Sequence, residues 1–243
     1  MEVAALIPAY REERYITDVV RRTASAVGFV LVVDDGSGDD TGRLACEGGA
    51  EVLLHDRNLG KGAAIKSGLR HLACRGYDYI IILDGDGQHR PEEIEGFLAA
   101  AKSDEAVRVW IGNRMSDTRA MPLVRRLTNR FMSWLLSRVC GQSIPDSQCG
   151  FRLVHRSLVP LLDCKSSAFD YESEMLIRIS RAGMRIGAVP VTTVYRDEVS
   201  SIRPARDAIR FFKMIWRYTK KSSPPPAGPA GLALHDTAAV RLK

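Results

Sequence analysis

The residue types between positions 84 and 88 are those that bind a divalent cation beside a phosphate. Asp84 and Asp86 lie two positions apart in a glycine-containing turn, and Gln88 follows them. Carboxylate and amide oxygens are hard ligands that suit Mg²⁺ or Mn²⁺, and such ions keep open positions for phosphate oxygens. The same segment could be only a polar turn after a strand, where Asp and Gly are common. The neighbouring segments favour the cation site.

Two further strand ends should lie beside this turn. An apolar, β-branched run at residues 79–83 precedes it and predicts a strand buried on both faces. Asp35 closely follows a similar run at 29–33, and Pro8 ends a first run at 3–7. In open α/β sheets the carboxyl ends of parallel strands form one edge, where ligands bind. We therefore expect these strand ends to converge on one site.

Strands and helices alternate along the first half of the chain, which is typical of β-α-β units with right-handed crossovers. We therefore predict an α/β fold with a mostly parallel central sheet flanked by helices. The predicted strands are 3–7, 29–33, 51–54, 79–83 and 107–111, and the predicted helices are 13–27, 41–46, 62–75 and 91–102. The second half is less regular, with predicted helices at 121–140, 156–163, 172–183 and 204–219, a loop at 144–152 and an edge strand at 186–194 broken by Pro190.

Length and composition favour one domain followed by a tail. The chain has 243 residues, of which 45% are apolar, and this is enough for a substantial core. We predict a folded domain at residues 1–221 and a disordered tail, rich in Pro, Gly and Ala, at 222–243.

Cysteine usage and the N-terminus indicate a cytoplasmic protein. Five scattered cysteines without Cys-x-x-Cys spacing suggest free thiols in a reducing compartment rather than disulfides or a zinc site. The N-terminus lacks the basic region and the apolar core of a signal peptide. No segment offers ~18 consecutive apolar residues, so we expect no membrane-spanning helix. We expect a protein of the cytoplasm that can work at the cytoplasmic face of the membrane.

The positive charge is concentrated in two segments. The formal net charge is +6, and Lys and Arg cluster at residues 119–140 and 203–221. Such patches indicate an anionic partner, which could be a phosphorylated ligand, an anionic lipid or a nucleic acid. Neither segment contains a nucleic-acid reader motif, so we expect no nucleic-acid partner. The chain also lacks the glycine motif of dinucleotide dehydrogenases and the P-loop of NTPases.

An acidic, cation-binding edge beside arginines suits a nucleoside diphosphate. The cation would bridge the two phosphates, and Asp35 could accept hydrogen bonds from a base or a ribose. Breaking a sugar–phosphate bond builds negative charge on the departing diphosphate, which a divalent cation and a nearby Arg would stabilise. Gly60-Lys61-Gly62, at a predicted helix start, could hold a phosphate or form a simple turn.

Six motifs, taken in order, resemble those of family 2 glycosyltransferases with the GT-A fold. The closest resemblance is to the dolichyl- or polyprenyl-phosphate mannose and glucose synthases, and it runs from about residue 2 to about residue 215. The motifs are Ile7-Pro8-Ala9-Tyr10-Arg11-Glu12, Val33-Asp34-Asp35-Gly36-Ser37, Asn58-Leu59-Gly60-Lys61-Gly62, Asp84-Gly85-Asp86-Gly87-Gln88-His89, Gly112-Asn113-Arg114 and Cys149-Gly150-Phe151-Arg152.

The resemblance implies a donor site for a nucleotide sugar of the GDP-mannose or UDP-glucose class. Asp84 and Asp86 would form an Asp-x-Asp pair, with Gly85 packed against the nucleotide. Asp86 and Gln88 would bind the Mg²⁺ or Mn²⁺ directly. The residues that would hold the nucleoside are Pro8, Tyr10, Glu12, Val33 and Asp35.

The resemblance also implies an acceptor that carries a phosphate. Arg114 would contact the diphosphate of the donor, and Arg126 would face the phosphate of a polyprenyl or dolichyl phosphate. Arg196 or Arg203 would close over the donor phosphates. An acceptor phosphate is already anionic at neutral pH, so it needs positioning rather than a general base, and a direct displacement would invert the anomeric centre. The expected catalytic residues are therefore Asp86, Arg114 and Arg126.

Two alternatives remain open. If the acceptor were a glycan hydroxyl, a carboxylate base would be required, and Asp146, Asp170 or Glu172 would be the candidates. The chain could also be a non-catalytic module that binds nucleotide sugars. The basic amphipathic helices predicted at 121–140 and 204–219 fit peripheral contact with a membrane that holds a lipid-borne acceptor, or they could pack on the sheet with their charges facing water.

Overall fold

Runs of apolar and β-branched residues form a central sheet in the structure, a computed structural model that describes residues 1–119, 121–168, 170–194, 204–220 and 241–242. Such side chains pack well on a pleated surface, which favours extended segments. The strands are β1 Val3–Ala9, β2 Phe29–Asp34, β3 Glu51–Leu54, β4 Tyr79–Ile82, β5 Val109–Asn113, β6 Arg152–His155, β7 Ile186–Pro190 and β8 Arg241–Leu242.

The strand order explains how the predicted site edge is assembled. The order is β7-β5-β6-β4-β1-β2-β3-β8. The pairs β1–β2, β1–β4, β2–β3 and β5–β7 are parallel, whereas β6 is antiparallel to both neighbours and β8 is antiparallel to β3. The sheet is therefore mostly parallel, as predicted. Ala9 pairs with Asp34 and Leu6 pairs with Ile82, so the carboxyl ends of β1, β2 and β4 lie side by side.

The sequence predicts a loop at 144–152 followed by a helix at 156–163, but the structure has a strand, β6, between them. This strand lies between β4 and β5 and pairs with both. It is only four residues long and begins with Arg152, so it lacks the apolar run that indicates a buried strand. The guanidinium of Arg152 is 1% exposed and donates to the carbonyls of Ser147, Cys149 and Glu172. These bonds make a buried arginine tolerable in a central strand.

Seven α-helices surround the sheet within the described ranges. They are α1 Ile16–Ala26, α2 Thr41–Glu47, α3 Lys61–Ala73, α4 Ile94–Ser103, α5 Leu123–Cys140, α6 Asp170–Arg181 and α7 Pro204–Lys220. The helix predicted at 156–163 is instead a 3-10 helix, Arg156–Leu162, with Pro160 inside it. Proline lacks a backbone N–H and clashes with the preceding turn, so a regular α-helix cannot pass through this position. Two shorter 3-10 turns are also present. Pro91–Glu93 precedes α4, and Arg114–Ser116 follows β5.

Successive residues of the strands enter two apolar layers on opposite faces of the sheet. Ile7 and Ile81 pack with residues of α1 and α4, whereas Leu6 and Ile80 pack with residues of α3 and α6. This is the alternation expected of a strand that is buried on both sides. A third cluster joins α5, α6 and α7, and includes Leu136, Ile177, Phe211 and Met214.

The C-terminal tail is largely outside the described residues. Arg241 and Leu242, within the segment predicted to be disordered, form the short strand β8 beside β3. The remainder of that segment lies outside the described residues, so its predicted disorder stays a prediction.

Candidate active site

The ends of β1 and β2 bring together several of the residues expected to hold a nucleoside. Pro8 pairs with Val33 in the parallel register, and the Asp35 N–H donates to the carbonyl of Ala9 at 2.9 Å. Tyr10 follows directly and is 39% exposed. The predicted residues of these two strand ends therefore lie side by side at the carboxyl edge of the sheet.

Gly85, in the turn after β4, packs against Glu12 at the same carboxyl edge of the sheet. A Cβ atom added to Gly85 would lie 3.4 Å from the Glu12 side chain and 3.5 Å from that of Ala9. The Glu12 N–H donates to the Thr41 hydroxyl at 2.9 Å, which fixes the chain after β1. The turn after β4 thus packs on the segment that follows β1.

Arg11 has an unusual backbone conformation at this edge. Its φ is 60°, and among the described residues it is the one non-glycine residue with a positive φ. Its N–H donates to the Ser37 hydroxyl at 2.9 Å, and its guanidinium lies 5.3 Å from the Tyr10 ring. Strained backbone of this kind often occurs at ligand sites.

The Asp35 carboxylate is held from within the protein. It accepts hydrogen bonds from the N–H groups of Leu59 and Gly60 at 2.9 and 2.7 Å, and from Nδ1 of His55 at 2.7 Å. Ser67 lies 3.0 Å from Nε2 of the same ring. Neither His55 nor Ser67 is among the site residues predicted from the sequence. A usable signal was present for His55, because it directly follows a strand at the same sheet edge.

The Asp84 carboxylate forms a partly buried cluster with Lys61 and Glu172. The Lys61 ammonium lies 2.7 Å from Asp84 Oδ1 and 2.8 Å from Glu172 Oε1. Burial raises the pKa of Asp84, but the charge and hydrogen bond of Lys61, together with the other nearby basic groups, outweigh this effect and the net shift is downward. Burial lowers the pKa of Lys61, but the two carboxylates outweigh it and the net shift is upward.

Gly150, in the Cys-Gly-Phe-Arg motif, lies against this cluster. A Cβ atom at Gly150 would be 2.9 Å from Asp84 Oδ2 and 3.0 Å from the Lys61 ammonium. Both distances are shorter than ordinary contacts, so the glycine lets the loop before β6 approach the charged groups. Lys61 was considered only as part of a phosphate-binding or simple turn, and the structure gives it an ion-pairing role.

Asp86 and Gln88 lie in the turn after β4, and both are half-buried. Asp86 Oδ1 accepts the Gln88 N–H at 2.9 Å. Carboxylate and amide oxygens are a suitable donor set for Mg²⁺ or Mn²⁺. No group of three or more His, Cys, Asp or Glu side chains that could hold a metal occurs among the described residues. The two residues therefore fit a cation that shares its coordination with substrate phosphates, rather than one enclosed by protein ligands.

His89 supports this turn. Its Nδ1 accepts the Asp84 N–H at 3.1 Å, and its ring stacks on Phe151 with centroids 5.1 Å apart. Burial lowers the pKa of His89 to about 4. The ring therefore remains a neutral acceptor at physiological pH.

Arg114 is buried in a bidentate ion pair with Asp146. Its Nε and Nη2 atoms donate to the two carboxylate oxygens at 2.7 and 2.8 Å. Asn129 and the Gln148 N–H also donate to this carboxylate. Asp146 thus acts as the partner of a guanidinium, an arrangement that does not suit a general base.

Arg126 lines a groove beside α5. The groove has a volume of about 440 Å³ and lies between α5, the segment after β5 and the loop before β6. Arg126 donates to the Thr118 hydroxyl at 3.5 Å. The lining residues are Met115, Thr118, Arg126, Arg130, Ser133, Trp134, Ser137, Ile144 and Pro145.

α5 exposes apolar side chains that an ordinary surface helix would bury, although its Leu136 packs inward. It buries Asn129, Ser133 and Leu136, whereas its exposed side carries apolar residues at a spacing of three to four. This apolar stripe of α5 consists of Leu123, Leu127, Phe131 and Trp134, each more than half exposed. α7 similarly exposes Ile209, Phe212 and Trp216. Within the described residues, no helix has both the length and the apolar character needed to cross a membrane.

Two further arginines are predicted to contact the donor phosphates. Arg196 and Arg203 both lie outside the described residues. Their assignment therefore stays a prediction.

The chain matches one protein family model and is similar in sequence to several known proteins. The model of glycosyl transferase family 2 matches residues 4–161. The undecaprenyl-phosphate mannosyltransferase of Micrococcus luteus is 31% identical over 210 residues, which cover 81% of this chain and 85% of the relative. The UDP-N-acetylglucosamine–dolichyl-phosphate N-acetylglucosaminyltransferase of Methanococcus voltae is 29% identical over 235 residues, which cover 87% and 92%.

Among solved structures, glucosyl-3-phosphoglycerate synthase of Mycobacterium tuberculosis in complex with UDP is similar in fold. The TM-score is 0.73 at 19% identity, and the match covers 91% of this chain and 81% of that one. The same enzyme in complex with Mn²⁺, UDP-glucose and phosphoglyceric acid matches with a TM-score of 0.70.

Proposed function

The chain belongs to glycosyl transferase family 2 and has the GT-A fold, and we propose that it transfers a hexose from a nucleotide sugar to a polyprenyl phosphate. The observation that carries this proposal is the groove beside α5. It combines Arg126 and Arg130 with an adjacent apolar stripe. A phosphate joined to a long apolar chain has both of the chemical features that this surface would bind.

The donor would bind at the carboxyl edge of β1, β2 and β4. Pro8, Val33 and the Tyr10 segment line the end that would take the nucleoside. Asp86 and Gln88 would hold the Mg²⁺ or Mn²⁺. When bound, this cation neutralises charge on the diphosphate and so makes it a better leaving group. The relative that was crystallised with Mn²⁺ and UDP-glucose supports this donor class.

The proposed reaction is a single displacement. An oxygen of the acceptor phosphate attacks the anomeric carbon, and the bond from this carbon to the donor diphosphate breaks. The bonding electrons leave with the nucleoside diphosphate, and the anomeric configuration inverts. Arg126 and Arg130 would orient the acceptor phosphate, and good orientation alone can lower such a barrier by several kcal/mol.

The charges around the site favour a phosphate acceptor over a glycan hydroxyl. A hydroxyl acceptor needs a carboxylate that can take its proton. Asp146 is bonded to Arg114, and Glu172 is bonded to Lys61. Of the three candidate bases, only Asp170 is without such an ion pair among the contacts described here, and it is the first residue of α6.

The apolar stripe of α5 and the exposed apolar residues of α7 would dock on the membrane that contains the acceptor. Lys213, Arg217 and Lys220 lie on the exposed side of α7. Each basic side chain near an anionic lipid surface contributes roughly 1 kcal/mol of attraction. Such docking would place the groove near the lipid phosphates.

The test is a transfer assay with labelled GDP-mannose, UDP-glucose and UDP-N-acetylglucosamine, with Mg²⁺ or Mn²⁺. Polyprenyl phosphate, phosphoglyceric acid and a glycan are supplied as separate acceptors. We expect label in the organic extract with one donor and polyprenyl phosphate. Label in phosphoglyceric acid or the glycan alone would contradict the proposed acceptor. Donor binding with no turnover on any acceptor would indicate a binding module.

A further inference from the structure

Three side chains, two of them buried, form a hydrogen-bonded chain beneath the proposed donor edge. Asp35, at the end of β2, is 2% exposed, and His55, directly after β3, is 6% exposed. Their Oδ1 and Nδ1 atoms are 2.7 Å apart. On the other side of the ring, Nε2 lies 3.0 Å from the hydroxyl of Ser67 on α3. Both ring nitrogens of His55 are therefore bonded to side chains of other elements.

Hydrogen-bonding chemistry fixes the roles in this chain. An ionised carboxylate can only accept, so His55 Nδ1 must carry the proton that Asp35 accepts. In the neutral ring Nε2 is then an acceptor, and the Ser67 hydroxyl donates to it. The Asp35 carboxylate thereby fixes the tautomer, and Ser67 on the opposite side fixes the rotation of the ring. The ring in turn fixes one oxygen of the Asp35 carboxylate.

The Asp35 carboxylate, held by His55, in turn holds the loop before α3. Its oxygens accept the N–H groups of Leu59 and Gly60. Gly60 has a φ of 98°, and a Cβ atom there would lie 2.5 Å from the Ser167 carbonyl oxygen. This conformation is therefore restricted to glycine, and the carboxylate holds it in place.

The residue after Gly60 reaches the Asp-x-Asp turn. Lys61 is the first residue of α3, and its ammonium lies 2.7 Å from Asp84 Oδ1. A continuous set of contacts thus runs from Ser67 through His55 and Asp35 to Lys61 and Asp84. Asp35 belongs to the nucleoside side of the proposed donor site, and Asp84 belongs to its phosphate side.

We propose that His55 is a positioning residue for donor binding, with Ser67 as the group that fixes its ring. His55 itself does not touch the substrate. It holds Asp35 so that the nucleoside end of the site and the Lys61 turn are preorganised together. This inference rests on the proposed nucleotide-sugar donor, but it does not depend on the identity of the acceptor.

The experiment compares nucleotide binding by His55→Leu, His55→Asn, Ser67→Ala and a matched control, His71→Leu. The Asn amide keeps an N–H donor near the position of Nδ1. His71 lies on α3 and also bonds to a carboxylate, that of Glu51, at 2.8 Å. The affinities for UDP and GDP with Mg²⁺ are measured by calorimetry, and thermal unfolding reports the stability of each variant.

We expect His55→Leu to weaken binding of the preferred nucleotide by about 10- to 100-fold, because it removes a hydrogen bond to a charged group. His55→Asn should recover most of this loss, and Ser67→Ala should weaken binding by roughly 2- to 10-fold. His71→Leu should leave the affinity within about twofold of the wild type. In the transfer assay, the KM for the donor should rise in His55→Leu, while the KM for the acceptor stays unchanged.

Each outcome decides a different point. Wild-type affinity in His55→Leu, or an equal loss in His71→Leu, would overturn the positioning role. If His55→Leu does not fold, Ser67→Ala decides the point, and wild-type nucleotide affinity and wild-type donor KM in Ser67→Ala would overturn the positioning role. Nucleotide binding without transfer to polyprenyl phosphate would refute the proposed function only. Failure of the wild type to bind either nucleotide would refute both.

Discussion

Arg114 and Asp146 form a bidentate ion pair that is almost completely buried, with 6% and 0% of the two residues exposed. The pair connects the end of β5 to the loop before β6 and lies next to the groove. A buried ion pair stabilises a fold little, but the loss of one partner leaves an uncompensated charge. The pair therefore fixes the position of Arg114 relative to the site.

Replacement of Asp146 should test this relationship. We expect Asp146→Ala to lower the free energy of unfolding by about 3–5 kcal/mol, because Arg114 would remain buried without its partner. Urea unfolding followed by circular dichroism measures the change. Asp117→Ala is the matched control, since Asp117 pairs with Arg119 on the surface, and its unfolding midpoint should not move. Equal effects of the two substitutions would argue against a special role for the buried pair.

Asp86→Ala should abolish metal-dependent activity without loss of the fold. Removal of a cation ligand from the diphosphate site should reduce turnover by about 100-fold or more. Mn²⁺ should then no longer increase the affinity for the nucleotide, which calorimetry with and without EDTA can measure. Asp18→Ala, on the exposed side of α1, provides the control. Normal turnover in Asp86→Ala would refute the assignment of the cation site.

Arg126→Ala should act on the acceptor. Loss of a hydrogen bond to a charged phosphate should raise the KM for polyprenyl phosphate by about 10- to 100-fold. The KM for the nucleotide sugar should change little, because Arg126 lies in the groove. Arg185→Ala serves as the control, since Arg185 is an exposed arginine that pairs with Asp104 and does not line the groove. A rise in the KM for the nucleotide sugar, rather than for polyprenyl phosphate, would indicate that Arg126 binds the donor.

A charge placed on the apolar stripe of α5 should weaken membrane binding. Phe131 is 51% exposed, and burial of such a side chain in a lipid interface contributes about 1.5–3 kcal/mol. We expect Phe131→Glu to reduce sedimentation with vesicles of phosphatidylcholine and phosphatidylglycerol. Thr128→Glu adds the same charge at an exposed position of α5 outside the stripe and should bind more strongly than Phe131→Glu. Indistinguishable binding by the two variants would contradict docking through the stripe.

The stability that the contact between α6 and α7 contributes should decrease at acid pH. The Tyr218 hydroxyl donates to Glu174 at 2.7 Å. Burial raises the pKa of Glu174, but hydrogen bonds from Ser166 and Tyr218 outweigh it, so the net shift is below the ordinary value of 4.5. The folded state therefore binds this proton less readily than the unfolded state, and the resulting stability is present above about pH 4.5 and lost as the pH falls through the folded pKa.

The variant Glu174→Gln should remove this pH dependence. Its unfolding free energy should be lower than that of the wild type near neutral pH, and the difference should shrink as the pH falls below about 4.5. Glu95→Gln, at an exposed position of α4, is the control and should follow the wild type at each pH. A constant difference between Glu174→Gln and the wild type across the acid range would argue against the assigned charge state.

The carboxyl edge of the sheet could be predicted because its signals are local. Each of β1, β2 and β4 is a short apolar run followed by a polar turn, and the rule for parallel sheets brings such turns together. The structure thus confirmed the fold class and the proximity of Pro8, Val33 and Gly85. It also shows the Asp35 carboxylate bound to His55 and to two backbone N–H groups, which no local pattern indicates.

The parts that were missed depend on contacts between distant segments. Lys61 and Glu172 meet only after α3 and α6 have packed on the same face of the sheet. β6 is a strand because two neighbours are available to pair with it, rather than because of its own composition. For α5, amphipathic spacing gave the helix but could not indicate that Asn129 and Ser133 are buried while the apolar stripe is exposed.

The position of α5 in the connectivity has an evolutionary consequence. α5 and most of the groove residues belong to the connection between β5 and β6, two antiparallel strands that pair directly. A connection of this kind can be lengthened, shortened or exchanged without breaking the register of the sheet. The residues of the proposed donor edge on β1, β2 and β4 lie outside this connection, whereas Arg114 and Gly150 lie within it. If the groove binds the acceptor, acceptor preference can diverge among descendants as long as these two positions are kept.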